Sequence, residues 1–186
     1  MIRAATPDDA AAIAAIYAPH CAGGEATFEL DAPDAAEIAR RMAASEGLYP
    51  WLVAEQDGAV LGYAYAGRFR ERAAYRWVVE TAIYVADAAH GRGVGRRLYE
   101  TLLATLTAQG FTSAIGVVSL PNPASVALHE AVGFRCTGVT PAVGYKLGRW
   151  IDVGWWQCAL AKAEVPPAEP RRFVDTEDRI PSSPRT

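Results

Sequence analysis

The sequence has little cysteine, and its few cysteines lie far apart. There are three, Cys21, Cys136 and Cys158, and none of them forms a metal-type pair with a nearby cysteine or histidine. An odd number of widely spaced thiols is typical of a reducing compartment. We therefore expect no metal site and a cytoplasmic location.

The sequence also lacks a long apolar run and a strong excess of one charge. No stretch approaches the ~20 apolar residues of a membrane-spanning helix, and residues 1–5 lack the apolar core of a signal peptide. Charged residues make up 21% of the chain and the net charge is −3, so no overall field attracts nucleic acid or an anionic membrane. We expect neither as a partner.

Proline is concentrated at the C-terminal end of the chain. Pro166, Pro167, Pro170 and the final Ser-Pro sequence follow the last aromatic segment, and this composition is typical of a flexible tail. A chain of 186 residues suits one domain with a sizeable core plus such a tail. We predict a single domain over residues 1–162 and a tail over residues 163–186.

The patterns of apolar residues, glycine and proline predict the element order β-α-α-β-β-β-α-β-α-β-β. The first helix is expected to end before Pro19. The second helix is expected over Pro33–Ala44, and a long strand over Tyr75–Val85. This order predicts one α/β (α+β) domain with a mixed, mostly antiparallel central sheet and helices on both faces.

A glycine-rich turn, His90–Leu98, joins the end of the long strand to an amphipathic helix. The helix carries leucines on one face, at positions 98, 102, 103 and 106. Such a turn leaves backbone N–H groups unpaired at the positive end of the helix dipole, where a phosphate ester binds well. The turn therefore predicts a site for an anionic cofactor, although an arginine-rich solvated loop is the simpler alternative.

Two common phosphate-binding motifs are excluded by the residues that follow the last glycine. A P-loop needs lysine followed by serine or threonine, but Arg96 and Arg97 stand there. A dinucleotide-binding fingerprint needs a third glycine at position 96. Neither motif describes this turn.

The turn resembles the acetyl-CoA pyrophosphate loop of the GNAT acetyltransferases, Arg/Gln-x-x-Gly-x-Gly/Ala. Residues 92–95 and the two before them match it, except that His90 takes the first position. The predicted element order is also that of a GNAT domain. The resemblance implies acetyl-CoA as co-substrate, bound by Ile83, Tyr84, Val85, Gly91, Arg92, Gly93, Val94, Gly95, Arg96, Asn122 and Ser125. The residues alone also give Asn122 the role of a helix cap.

Glu80 is the best candidate for a general base. It lies inside the apolar run Trp77–Val85, where desolvation disfavours its charged form. Proton removal from an attacking ammonium group requires a general base, and such a carboxylate can act as one. The alternative is a glutamate on the solvent face of an amphipathic strand.

Three blocks of sequence make the resemblance narrower. Tyr75–Glu80, Asn122–Phe134 and Val143–Val153 are similar to the phosphinothricin acetyltransferase family, within a similarity that extends from Ile2 to Leu160. The resemblance implies that Glu80 and His129 form the catalytic pair, and that the acceptor is held by Phe28, Arg70, Arg72 and Tyr75. Without it, His129 is a packed core or surface residue of a helix and the two arginines belong to a solvated charge run.

Three functions follow from these observations. The first is an N-acetyltransferase acting on a small amino acid of the phosphinothricin or methionine sulfoximine/sulfone type. The second keeps acetyl-CoA but acetylates a protein N-terminus or another amine, and the third is a non-catalytic CoA-binding module. A homodimer is expected because Trp155 and Trp156 offer more apolar surface than a small domain covers, and because the family is usually dimeric.

Overall fold

The computed structural model describes residues 1–45 and 47–173. Within these residues the chain forms four α-helices and seven strands in the predicted order. The helices are α1 (Ala10–Ala22), α2 (Ala35–Ala43), α3 (Val94–Gln109) and α4 (Pro123–Ala131). The strands are β1 (Ile2–Ala4), β2 (Trp51–Gln56), β3 (Ala59–Arg68), β4 (Val78–Val85), β5 (Ser113–Leu120), β6 (Arg135–Lys146) and β7 (Arg149–Ala159).

The strands form one sheet in the order β1-β2-β3-β4-β5-β7-β6. Only β4 and β5 pair in parallel, and the other neighbours are antiparallel. The prediction of a mixed, mostly antiparallel sheet is therefore confirmed. β6, which is twelve residues long, lies at one edge.

The two faces of the sheet carry separate apolar cores. On one face α1 and α2 pack over aromatic side chains that include Trp51, Tyr63 and Tyr84. On the other face α3 packs over smaller side chains such as Leu52 and Val79. Because side chains alternate along a strand, neighbouring residues supply opposite cores, and the helices lie on both faces as predicted.

Some predicted boundaries are wrong. α1 continues through Pro19 to Ala22, because one missing backbone hydrogen bond in the last turn costs less than exposing Cys21, which is 1% exposed. α2 begins after Asp34, whose side chain accepts the N–H of Glu37, and not at Pro33. The long strand begins at Val78, because residues 73–75 form a 3-10 turn.

Part of the segment after residue 162 contacts the domain. Glu169 forms an ion pair with Arg76 at 2.6 Å, and Phe173 is 7% exposed. Gln109, at the end of α3, donates its side-chain N–H to the carbonyl oxygen of Arg171 at 2.8 Å. The predicted tail extends beyond this point, and its residues 174–186 lie outside the described ones.

The dimer prediction relies on Trp155 and Trp156, and neither is an exposed residue. Trp156 is 4% exposed because its ring packs beside His129 in the α3-side core. The exposed aromatic side chains on the β6–β7 hairpin are Tyr145 and Trp150, at 61% and 62%. In the described part of the chain, no helix is both long and apolar enough to cross a membrane.

Candidate active site

A cleft opens where β4 and β5 separate. The two strands pair only as far as Thr81 and Gly116, and beyond this point each continues with its neighbour on the outer side. The separation leaves backbone and side chains of Ala82–Val85 facing Val117–Ser119 across a gap. The cleft has a volume of about 480 Å³ and is mainly apolar along its walls.

The glycine turn closes one end of this cleft. Gly91 and Gly93 have φ values of 73° and 71°, a left-handed conformation that glycine adopts without strain. Gly93 is the N-cap of α3 and supplies no side-chain oxygen, so the first-turn N–H groups of α3 remain available to an anion. His90 donates its Nε2–H to the carbonyl oxygen of Val85 at 3.0 Å and thereby ties the turn to β4.

The cleft brings together most of the predicted cofactor residues. Its lining includes Ile83, Tyr84, Val85, Gly91, Gly93, Val94, Gly95, Arg96, Asn122 and Ser125. Arg92 is outside the lining, because its guanidinium group donates to the side chain of Gln56 at 2.8 Å.

These features fit acetyl-CoA. The helix N-terminus supplies donors for a pyrophosphate, and the gap between the strands suits a narrow pantetheine arm. A Cβ on Gly95 would lie 3.3 Å from Leu128 and 3.4 Å from Val85, so the turn is packed tightly against both cleft walls.

Glu80 lies beside the cleft, on the face of the sheet that α1 and α2 cover. It pairs with Gly67 on β3, two positions from the pair formed by Tyr65 and Ala82. Burial raises the pKa of its carboxyl group, while the positive charge of Arg70 opposes the shift. Among the described residues no side chain hydrogen-bonds or ion-pairs with this carboxylate, so it is available to accept a proton.

His129 lies on the opposite face and is 4% exposed. Its Nδ1–H donates to the carbonyl oxygen of Ser125 at 2.8 Å, so the neutral ring keeps Nε2 as an acceptor for the hydroxyl of Tyr99 at 2.9 Å. The Tyr99 hydroxyl also bonds Thr81 at 2.8 Å. Burial lowers the pKa of His129, and the bond to Ser125 opposes that shift only in part. The imidazole is therefore held neutral in one tautomer.

Glycine at position 116 makes room for this imidazole, since a Cβ there would lie 2.5 Å from it. Because Glu80 and Thr81 are adjacent in β4, their side chains point to opposite faces of the sheet. The structure therefore places His129 on the cleft wall and does not bring it together with Glu80 on one face.

Three of the four predicted acceptor residues, Arg70, Arg72 and Tyr75, lie just before β4 and outside the cleft lining. The guanidinium group of Arg70 lies over the ring of Phe69 at 4.3 Å and near that of Trp155 at 5.8 Å. Tyr75 contacts the edge of the same Phe69 ring at 5.8 Å and is 41% exposed. Arg72 is exposed at the start of the 3-10 turn. Of these groups, Arg70 acts electrostatically on Glu80.

Phe28 belongs to an irregular segment that crosses the face of the sheet covered by α1 and α2. The segment begins at the end of α1, where His20 contacts the ring of Tyr84 at 5.1 Å, and Ala26 lines the cleft. Phe28 then reaches β6, packs on Gly144 and remains 39% exposed. The segment therefore passes the cleft beside β4 and continues to β6.

Sequence reasoning missed several residues of the site. Thr81 and Tyr99 support His129, but a threonine in a strand and a tyrosine in an amphipathic helix carry no signal of that role. Val117–Ser119 form one cleft wall, where a buried strand gives no sign that its neighbour will diverge. The interruption of the helical pattern at Gly23 and Gly24 was the available signal for a segment that covers the cleft.

Comparisons with known proteins agree with this geometry. Residues 2–155 match the model of the acetyltransferase (GNAT) domain. The phosphinothricin N-acetyltransferase of Streptomyces viridochromogenes is 42% identical over 156 residues, which are 84% of this chain and 85% of that protein. The L-methionine sulfoximine/L-methionine sulfone acetyltransferase of Salmonella typhimurium is 38% identical over 120 residues, 64% of this chain and 70% of that protein.

A solved structure shares the whole fold. The phosphinothricin acetyltransferase Pat of Sinorhizobium meliloti, determined in complex with acetyl-CoA, superposes with a TM-score of 0.86 at 40% identity. The superposition covers 91% of this chain and 93% of that one. The separated strands, the glycine turn at the start of α3 and these matches lead to one conclusion: the chain belongs to the GNAT acetyltransferase family.

Proposed function

We propose that this protein is an N-acetyltransferase that moves the acetyl group of acetyl-CoA to the amine of a small amino acid. The acceptor belongs to the phosphinothricin or methionine sulfoximine/sulfone class, which the names of the relatives specify. The observation that carries the proposal is a free, half-buried carboxylate, Glu80, beside the point where β4 and β5 separate. A CoA-binding module without catalysis has no use for such a group.

Acetyl-CoA supplies an activated acyl group to the cleft when it is bound. Glu80 is the general base that removes a proton from the acceptor ammonium group, through a water molecule. Its raised pKa brings it closer to neutral pH and makes it a stronger base than an exposed glutamate. Because no described side chain hydrogen-bonds this carboxylate, its oxygens are available to the water molecule that lies between Glu80 and the acceptor.

We assign His129 to the cofactor side of the site. Both ring nitrogens already have partners, and the imidazole faces the cleft wall on the other side of the sheet from Glu80. A neutral histidine in a fixed tautomer shapes the wall and does not compete with Glu80 for the acceptor proton. This assignment separates the roles of the two residues that the sequence pairs.

Arg70 and Arg72 favour a compact acceptor with acidic groups. Guanidinium groups bind carboxylate and phosphinate oxygens in a bidentate manner, and Arg70 lies within electrostatic range of Glu80. A small amino acid offers its amine together with a free α-carboxylate, and a phosphinate, sulfone or sulfoximine side chain adds oxygen atoms that accept hydrogen bonds. A protein N-terminus has no free α-carboxylate, so we rank that alternative lower.

A substrate panel tests the proposal. The purified protein is incubated with acetyl-CoA and phosphinothricin, methionine sulfoximine, methionine sulfone, common amino acids or an N-terminal peptide, and free thiol release is measured. We expect the first three acceptors to give the highest kcat/KM. A higher kcat/KM for the peptide would contradict the proposed acceptor and support acetylation of a protein N-terminus.

We also propose that the protein is a cytoplasmic homodimer. Exposed apolar side chains cluster on β6 and its hairpin, at Val139, Val143, Tyr145, Leu147 and Trp150. An edge strand with such a surface is suited to pair with a second copy. The thiols of all three cysteines are free, which suits a reducing compartment. Light scattering that finds only monomer at micromolar concentration contradicts the dimer.

A further inference from the structure

The block Val143–Val153, which the resemblance marks but the chemistry does not use, forms the β6–β7 hairpin. Leu147 and Gly148 make a two-residue turn with φ values of 51° and 78°, and Lys146 pairs with Arg149 across it. Side chains of residues 144 and 146 therefore share one face of β6. This face meets the segment His20–Phe28, which we call the acceptor wall.

Gly144 receives the ring of Phe28. A Cβ built on Gly144 would overlap three carbon atoms of that ring, so only glycine allows the ring to lie where it does. Gly144 does not have a left-handed φ, so its backbone conformation does not require glycine. Glycine is required here because any side chain would occupy the space of the Phe28 ring. The partner of Gly144 on β7 is Ile151, which is fully buried.

Lys146 hydrogen-bonds to the backbone of the acceptor wall. The side chain is 3% exposed, and its ammonium group donates to the carbonyl oxygens of His20 at 2.9 Å and Thr27 at 2.8 Å. These two acceptors lie at the two ends of the wall, one in the last turn of α1 and the other immediately before Phe28. No carboxylate forms an ion pair with this ammonium group in the described part of the chain, so its hydrogen bonds go to backbone carbonyls, while Glu25 acts on it only through a longer-range electrostatic interaction.

Two further residues of the block fix the position of this face. Arg149 binds Glu25, in the middle of the wall, with a 2.7 Å bond from its Nε. Asp152 accepts the N–H of Ala142 at 2.8 Å and thereby holds a bulge, in which three residues of β6 lie opposite one residue of β7. The bulge ends at Gly144, so it sets which residues face the wall.

We propose that Gly144 and Lys146 are positioning residues that determine acceptor specificity through the acceptor wall. They hold the segment in which Ala26 lines the cleft and Phe28 packs on β6, without touching the acceptor themselves. The inference deepens the proposed function and depends on it, because it assumes that an acceptor binds under this wall. The block Val143–Val153 holds no proposed catalytic or cofactor-binding residue, and the inference gives it a role in positioning the acceptor wall.

The test is Gly144→Ala, which adds one methyl group. Because Phe28 is 39% exposed, its ring has room to move away while β6 stays in place. We expect the KM of the preferred acceptor to rise by about tenfold or more through misplacement of the wall, with the KM of acetyl-CoA unchanged. Lys146→Met, which removes both bonds to the wall, is expected to act in the same direction.

The matched control is Gly138→Ala in the same strand. A Cβ at Gly138 meets no atom within 4 Å and its φ is not left-handed, so no change is expected. A double-mutant cycle adds a second control, because Gly144→Ala is expected to have no further effect on acceptor KM in a Phe28→Ala background. A change that spreads through the fold gives additive effects instead.

A measurement without substrate separates this inference from the proposed function. Hydrogen exchange over residues 20–30 is expected to accelerate in Gly144→Ala and Lys146→Met but not in Gly138→Ala. If the wild type acetylates no member of the panel while this difference is present, the proposed acceptor is wrong and the wall contact stands. Unchanged exchange and unchanged acceptor KM in Gly144→Ala overturn the inference, as does an equal rise in the KM of acetyl-CoA.

Discussion

The cofactor cleft and the acceptor wall differ in how the chain builds them. The phosphate-binding end of the cleft is made of backbone at the end of β4 and the first turn of α3, residues that are close together in sequence, while β5 and α4 form the opposite wall. The wall is a loop after α1 that is held by a hairpin about 120 residues later, since the bonds of Lys146 span 126 and 119 positions. A local site of this kind is readable as a motif, whereas the wall depends on side chains that meet only in the folded protein.

This difference indicates where specificity resides. Backbone N–H groups bind any pyrophosphate of the right shape, so the cleft tolerates changes of side chain. In the proposed function, the wall and the arginines before β4 bind the part of the acceptor that varies between substrates. We therefore expect substitutions on the acceptor side and on the cofactor side to separate cleanly in their kinetic effects.

The largest expected effect comes from Glu80→Gln, which removes the base at the boundary between the two regions. We expect kcat to fall by about 10²–10⁴-fold while the affinity for acetyl-CoA stays the same. Activity should recover in part at high pH, because the acceptor amine then loses its proton without a base. His129→Gln serves as the comparison. If it removes turnover and Glu80→Gln does not, the base is His129.

Arg70→Ala and Arg72→Ala test the acceptor side alone. A hydrogen bond to a charged group contributes about 1.5–3 kcal/mol, so each substitution should raise the acceptor KM by about ten- to a hundredfold. The KM of acetyl-CoA should not change. Arg68→Ala is the control, since Arg68 pairs with Glu71 on the surface. An equal effect of all three variants indicates only a general loss of positive charge.

Gly95→Val tests the cofactor side alone. The new side chain meets Val85 and Leu128 and fills space at the start of α3. We expect the Kd of acetyl-CoA to rise by about tenfold or more, and the thermal stabilisation by acetyl-CoA to shrink accordingly. Gly138→Val controls for β-branched substitution in open space. If acetyl-CoA raises the Tm of Gly95→Val as much as that of the wild type, the glycine turn does not bind the cofactor.

The smallest expected effect is on stability. Burial raises the pKa of Glu80, so the protonated form of its carboxyl group is favoured more in the folded than in the unfolded protein. This contribution to stability is fully present below the unfolded pKa and is lost as the pH rises through the folded pKa. Glu80→Gln should therefore be more stable than the wild type at neutral pH and equally stable at acidic pH. Urea unfolding at both pH values measures this, and a Gln variant that is less stable at neutral pH shows that the carboxylate has a stabilising partner.

Much of the fold was predictable from residue patterns. The turn Asp57–Gly58 has φ values of 52° and 77°, as an Asp-Gly hairpin requires, and Asn122 caps α4 by accepting the N–H of Ser125 at 3.1 Å. Pro19 misled the prediction because local propensity cannot include the burial of Cys21 in the core beneath α2. Short-range rules succeeded where the partners are neighbours in sequence.

The sequence by itself determined the glycine turn, the apolar setting of Glu80 and the element order, because each depends on residues that are adjacent along the chain. Only the tertiary structure decided that β4 and β5 separate after Thr81, and that Glu80 and His129 lie on opposite faces. It also decided that Phe28 rests on Gly144. These outcomes depend on contacts between distant segments, whose energies no local pattern contains.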